Sequence, residues 1–195
     1  MAAGASVGGA AGSAAVAAAS AAAAHRDGGD VSPARILRHL ASSRLRLRRA
    51  FPPPTLSAIE RAIGEAETGH EGEIVFVVEG ALDTMPLLRG QTARQRAIEV
   101  FSRMRVWDTE QNNGVLLYVL FADRDVEIVA DRGIDARAGE QAWSDICHEM
   151  EESFGRGDFQ AGSLAGIRAV GEHLRRHFAS SKKRRNELPD EPTVS

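Results

Sequence analysis

Residues 106–133, VWDTEQNNGVLLYVLFADRDVEIVADRG, decide the fold. Gly114–Phe121 is a near-continuous apolar run set between Asn112-Asn113 and Asp123-Arg124, and a run of that length and boundary reads as a strand buried on both faces. Asp125–Ala130 follows after a few polar residues and alternates Val126, Ile128 and Ala130 against Asp125, Glu127 and Val129. The two runs are therefore expected to pair as an antiparallel hairpin. Its turns crowd Asp108, Asp123, Asp125 and Asp131 onto the rims of a sheet.

Working outward, Ile74–Val78 reads as a further strand, and a loop with Gly80 and Pro86 leads to a helix announced by Thr92 and Gln95 at capping-box spacing. Ala97, Ile98, Phe101 and Met104 supply the core stripe of that helix. Strand, helix, strand in this order implies a right-handed parallel crossover, so Ile74–Val78 is expected to lie parallel to Val115–Phe121. Before it, a helix is expected to start near Thr55 or Ser57, where Ser57 and Glu60 have capping-box spacing, with Leu56, Ile59, Ile63 and Ala66 on one face. After the hairpin, Trp143, Ile146, Cys147, Met150 and Phe154 form one helical stripe. Asp158 then caps a helix that turns Leu164, Ile167, Val170, Leu174 and Phe178 inward. The fold class is α/β, with a small mixed β-sheet, made of a parallel crossover plus an antiparallel hairpin, sandwiched by helices.

The run NNGVLLYVLFADRDVEIVADRG resembles the core signature of the TPM domain family: an Asn-Asn-Gly turn, an apolar strand, an Asp-Arg turn, a second strand and a glycine. The resemblance extends over roughly Leu56 to Phe178, taking in GEIVFVV and the break FGRGDF. It implies the α/β fold described above. For function it implies one of several roles tied to the family: acid phosphatase activity, calcium binding, photosystem II repair or receptor accessory work. Longer family members commonly carry an aromatic residue between two glycines where this chain has Asp131-Arg132-Gly133. A transmembrane helix or glycine-rich tail often follows the domain in those longer members, and neither pattern occurs in this sequence.

Composition divides the chain into an alanine-rich terminus without fixed structure (1–31), a basic amphipathic segment (32–50), the α/β domain (51–179) and a polar tail (180–195). Residues 1–24 hold 14 alanines and no charge. They lack a preceding Lys or Arg and a leucine-rich stretch, which argues against a signal peptide and for a cytoplasmic protein. Seven arginines against Asp27 and Asp30 make residues 1–50 basic, and the net charge of −3 then leaves −9 on residues 51–179. So acidic a domain lacks the footprint for phosphate backbones, and nucleic acid is not an expected partner. The single cysteine, Cys147, excludes an internal disulfide and a CxxC site and reads as a small buried hydrophobe. His148 projects about 100° away from it around the helix. Glu67, His70 and Glu73 recur every three residues, but Gly69 and Gly72 break the helix that would align them, so they read as a polar turn.

The principal candidate site lies beyond the carboxyl ends of the parallel strands, where ligands of open α/β sheets tend to sit. Glu79, Asp123 and Asp125 meet there, with Asp83 within reach on the following loop. Such an oxygen cluster suits Ca2+ or Mg2+, bound weakly because a solvent-open rim leaves several water ligands. The competing reading is that these aspartates only shape turns. If the first reading holds, Asp123→Asn is expected to abolish cation binding and leave the thermal midpoint unchanged. A second candidate polar site, at the opposite rim, comprises Asp108, Asn112, Asp131 and Arg132.

Two functional classes follow. One is a non-enzymatic interaction or accessory domain with a protein partner, peripheral to an anionic membrane through residues 35–49, where Ile36, Leu37, Leu40, Leu45 and Leu47 interleave with arginines. The alternative, which the resemblance implies, is a divalent-cation-dependent acid phosphatase acting on phosphomonoesters. The first is preferred because no set of nucleophile, general acid and base can be assembled from the spacing. Catalytic motifs such as a P-loop, a dinucleotide turn, a nucleophile elbow or H-E-x-x-H are absent from the sequence.

Overall fold

In the computed structural model, residues 31–42, 44–180 and 187–195 are described; the alanine-rich stretch 1–24 lies outside them. The strands are β1 (Glu73–Glu79), β2 (Gly114–Leu120), β3 (Asp125–Ala130) and β4 (Thr193–Val194), in the order β3-β2-β1-β4. β1 and β2 run parallel, with Glu73 opposite Gly114 and Glu79 opposite Leu120. β2 and β3 form the antiparallel hairpin, with Val115 opposite Ala130. The expected core topology is therefore the one observed. β4 is an addition from the tail, paired parallel to the outer edge of β1.

The alternation of side chains along each strand explains why both faces are covered. Ile74, Phe76, Val78, Val115, Leu117, Val119 and Ile128 point into the first core, against the helices α3 (Pro53–Ala66), α7 (Glu140–Arg156) and α8 (Phe159–Phe178). Val75, Val77, Leu116, Tyr118, Leu120 and Val129 point into the second, against α5 (Ala93–Arg103) and the short α4 (Thr84–Leu88). The Trp143–Phe154 stripe of α7 is buried as its spacing predicts, Cys147 included. Burial raises the Cys147 thiol to about 12, so it is inert at neutral pH. His70 is also buried, with Nδ1 accepting from the Gly72 amide at 3.1 Å. His148 is exposed and pairs with Glu152 one turn on.

Several local expectations are corrected. α3 begins at Pro53 with Pro52 as its cap, and the Ser57–Glu60 spacing is not used. The reason is that proline is pre-organised for the first helical turn, where its missing N–H costs nothing. Asp158 is the cap residue of α8 but makes no side-chain cap bond. The Thr92–Gln95 capping box of α5 forms in both directions, at 3.0 and 3.1 Å. Two short helices fall where loops were expected: α4, and α6 (Arg132–Ala138), capped by Asp131.

Two helices, α1 (Pro33–Ala41) and α2 (Arg44–Ala50), lie on the domain. Ser32 caps α1 by accepting from the Arg35 amide at 3.2 Å, and Pro33 opens it. Leu47 and Phe51 anchor the other end in the first core, where Phe51 meets Phe154 and Phe159 with ring centroids 6.3 and 5.6 Å apart.

Candidate functional site

At the carboxyl end of β1 and β2, Glu79 and Asp123 reach the rim as the strand order predicts, but arginines already occupy them. Glu79 accepts from Arg96 Nε at 2.7 Å and from the Tyr118 hydroxyl at 2.6 Å on Oε2, and from Arg96 Nη2 on Oε1. The crossover helix α5 supplies Arg96 from the second-core face, and β2 supplies Tyr118 from within its apolar run. Burial opposes ionisation of Glu79, yet Arg96 and Tyr118 outweigh it and hold the carboxyl below its ordinary value. Burial, and then the bond to Glu79, pushes Tyr118 upward, and the bond to Glu79 pushes Arg96 upward against its own burial. A fork of two N–H bonds to one carboxylate is the strong form of this interaction.

Asp123, in the β2–β3 turn, is the anchor of α1. Arg35 Nε donates to Oδ2 at 2.9 Å, His39 Nε2 lies 3.1 Å from the same oxygen, and Arg38 Nη2 donates to Oδ1 at 3.1 Å. These three sit at i, i+3 and i+4 on one helical face. The Leu82 amide donates to His39 Nδ1 at 3.1 Å, which places the ring proton on Nε2, facing Asp123. Arg35 Nη2 further donates to the Gln91 carbonyl at 2.9 Å, and the Ser42 hydroxyl donates to the Gly80 carbonyl at 2.8 Å. Burial of Asp123 works against its charge, but the hydrogen bonds from His39, Arg35 and Arg38 prevail and hold its pKa at about 2.

This arrangement corrects the first candidate site. Arg96 stands on Glu79, and Arg35, Arg38 and His39 stand on Asp123, where a cation would bind. Asp83 is exposed at the N-cap position before α4. Among the described residues no group of three or more His, Cys, Asp or Glu side chains is placed to hold a metal ion. Asp123 is thus a structural anchor, and Asp123→Asn is no longer expected to be neutral for stability.

The docking of α1 sets its Arg35–His39 face against the domain. Arg35 and His39 are buried, with side-chain exposures of 3% and 1%. The leucines point out: Leu37 is 67% exposed, Leu40 71% and Leu45 59%. With Val31, Met85 and Leu88 they are the exposed large apolar side chains among the described residues. The bonds from α1 to Leu82, Gly80 and Gln91 set them at the same end as α4, which carries Met85 and Leu88. Arg38, Arg44, Arg46, Arg48 and Arg49 are exposed beside them.

The opposite rim brings Asn112, Asn113, Asp131 and Arg132 together and leaves Asp108 outside, half-exposed in an ion pair with Arg105 at 3.2 Å. Arg132 Nε donates to Asn112 Oδ1 at 3.1 Å, and the Arg132 amide donates to Asp131 Oδ1 at 2.7 Å. Asn112 takes a left-handed backbone, φ 54°. Gly133 allows the close approach, since a Cβ there would lie 2.5 Å from the Asn112 carbonyl oxygen. Asn113 is fully buried: its amide donates to Thr109 Oγ1 at 3.1 Å and its Nδ2 to the Glu71 carbonyl at 2.8 Å. Asn113 Oδ1 and Asp131 Oδ2 are buried with no hydrogen-bond partner among the described residues. Desolvation raises the Asp131 pKa against the opposing pull of Arg132.

Sequence reasoning missed Arg35, His39, Arg96 and Tyr118 as partners. Tyr118 carried a usable signal, because a hydroxyl inside a doubly buried strand requires an acceptor. Nothing local marks Arg35 or His39, which lie more than 80 residues from Asp123.

The family model for the TPM domain matches residues 48–173. The chain is similar to the NMR structure of BA42 protein from the psychrophilic bacterium Bizionia argentinensis, with 28% sequence identity, coverage of 73% of this chain and 93% of that one, and a TM-score of 0.61. No curated protein matches the chain.

Proposed function

We propose that this chain, which belongs to the TPM domain family, is a non-enzymatic accessory domain that a basic, leucine-rich face holds on an anionic membrane. The observation that carries the reading is the outward turn of Leu37, Leu40 and Leu45 beside exposed arginines, on a helix pair pinned to the domain from its other face. An apolar stripe flanked by cations suits the headgroup boundary, with about 1 kcal/mol per arginine near anionic lipid before salt screening. Anionic lipid faces the cytoplasm, so the reading is of a cytoplasmic, peripheral protein that meets its protein partner there. No helix among the described residues is long and apolar enough to cross a bilayer. Contact is thus expected to be interfacial, not spanning.

Sedimentation with vesicles tests this directly. Binding to vesicles containing phosphatidylserine is expected to exceed binding to neutral vesicles, to weaken at high salt and to fall sharply in Leu37→Ser/Leu40→Ser. Equal sedimentation of that double variant and the parent would remove the reading.

A second reading concerns a divalent cation. The two unpartnered acceptors, Asn113 Oδ1 and Asp131 Oδ2, favour a weak Ca2+ or Mg2+ site at the Asn112–Asp131 rim over the Glu79–Asp123 rim. Calorimetry with Ca2+ on the parent and on Asp131→Asn checks it, binding by the parent alone being the expected result. Cation-dependent hydrolysis of p-nitrophenyl phosphate that is lost in the same variant would instead favour a phosphomonoesterase.

A further inference from the structure

We infer that the outer edge of β1 is a docking site for an extended segment of a partner protein running parallel to it, and that residues 187–195 of the chain are a weak internal occupant. This surface is distinct from the leucine face and goes beyond the membrane reading. The tail lies along the length of β1. The Glu187 and Leu188 amides donate to the Glu73 carboxylate, at 3.2 and 3.3 Å, at the start of the strand. Thr193 and Val194 pair with Val77 and Val78 near its end. Beyond them the Ser195 amide donates to the Val78 carbonyl at 3.0 Å, and the Gly80 amide donates to the Ser195 carbonyl at 2.8 Å. Leu188 packs against the second core and Val194 against the first, so the tail places one apolar side chain on each face of the sheet edge. Such an edge takes main-chain hydrogen bonds for affinity and side-chain notches for specificity, which is how strand-accepting domains hold peptides.

The occupant uses the edge poorly. β1 pairs with β2 at all seven of its residues but with the tail at two. Carrying the Val77–Thr193 register back along the strand would set residue 189 opposite Glu73. That position is Pro189, which has no N–H to give, and Pro192 fixes its φ near −65°. Prolines of this kind blunt a sheet edge against uncontrolled pairing. A partner segment with a β-branched residue at the Val194 position and no proline among the residues before it can complete the ladder. The tether gives the tail an effective concentration in the millimolar range. The site is therefore closed to weak strands and open to good ones.

The test uses the full chain with Leu188→Ala/Ser195→Pro, and two synthetic nonapeptides. One has the sequence of residues 187–195 and the other has both prolines replaced by alanine. The double variant is expected to lower hydrogen-exchange protection of the Gly80 amide at least tenfold, while the β2–β3 amides keep theirs. Added peptide is expected to restore protection, with the proline-free peptide binding at least tenfold tighter. Unchanged Gly80 protection in the variant, or no recovery with millimolar proline-free peptide, overturns the proposal. So does recovery with rising protein concentration and no peptide, accompanied by dimer in sedimentation, since the occupant would then be the tail of a second copy. If the double variant does not fold, Ser195→Pro alone, which reaches neither core, gives the same readout at Gly80.

Discussion

At the rim beyond the carboxyl ends of β1 and β2, every carboxylate oxygen of Glu79 and Asp123 meets a donor, whereas at the opposite rim Asp131 Oδ2 and Asn113 Oδ1 are buried with none among the described residues. The two rims bound one sheet and draw on the same residue types. They differ in what the chain brings to them from a distance. The first receives α1 and α5, each of which delivers cations, and its carboxylates titrate below their usual values. The second is built from the segments that enter β2 and leave β3, with the Glu71 carbonyl ahead of β1, and its aspartate titrates above. A carboxylate stabilises a fold when its charge is paired and opposes it when its charge is only desolvated. The charge-neutralised rim is therefore built to hold the structure together, whereas the second carries a carboxylate that the fold leaves desolvated.

The largest expected effect comes from breaking the first rim. Asp123→Asn strands Arg35 and His39 in a buried site, and losing one partner of such a set costs about 3 kcal/mol. The thermal midpoint should fall by roughly 6–12 °C if the loss is global. If α1 instead detaches locally, the Leu82 amide, which donates to His39, should lose its exchange protection. An unchanged midpoint together with an unchanged Leu82 would show that the anchor carries no energy. The pH dependence has a definite sign. The Asp123 pKa is depressed to about 2 from 3.8, so its contribution is complete above 3.8 and disappears as the pH falls through about 2. Release of α1 should accordingly be seen only in strong acid.

A smaller change at the same rim is Tyr118→Phe, which removes one charge-assisted bond and leaves Arg96 on Glu79. The expected loss is about 1.5 kcal/mol in urea unfolding. A loss near zero would mean that Arg96 alone satisfies the carboxylate.

The smallest effect, of opposite sign, belongs to the other rim. Asp131→Asn keeps an acceptor for the Arg132 amide and removes a charge the site opposes. With its folded pKa raised, Asp131 supports stability below 3.8 and withdraws that support as pH rises past the folded value. The variant should thus be slightly more stable than the parent at pH 7 without metal, with the difference gone at pH 3. Excess Ca2+ should reverse the order if the cation site forms. A variant less stable than the parent at pH 7 without metal would place Asp131 with the structural carboxylates.

Much of the scaffold was legible because its causes are local. The Gly114–Phe121 run, the alternation of Asp125–Ala130, the Thr92–Gln95 box and the Trp143–Phe154 stripe each involve neighbours within a few turns of chain, and each appears where its pattern predicts. The short helices α4 and α6 did not show, since five and seven residues are too few to display a period. β4 did not show either, because a two-residue strand has no pattern of its own and exists only against the edge of β1.

What the sequence determined by itself was the sheet core, its hairpin and crossover, and the presence of carboxylates at both rims. Only the tertiary structure decided what those carboxylates do. The spacing of Arg35, Arg38 and His39 marks a basic helix face, but it carries no information on whether that face meets lipid, water or an aspartate more than 80 residues away. Once Asp123 takes the arginine face, the leucine face has to point outward. The reason is energetic: a buried charge needs its partner more than an exposed leucine needs cover, and that choice is made only when distant parts of the chain come into contact.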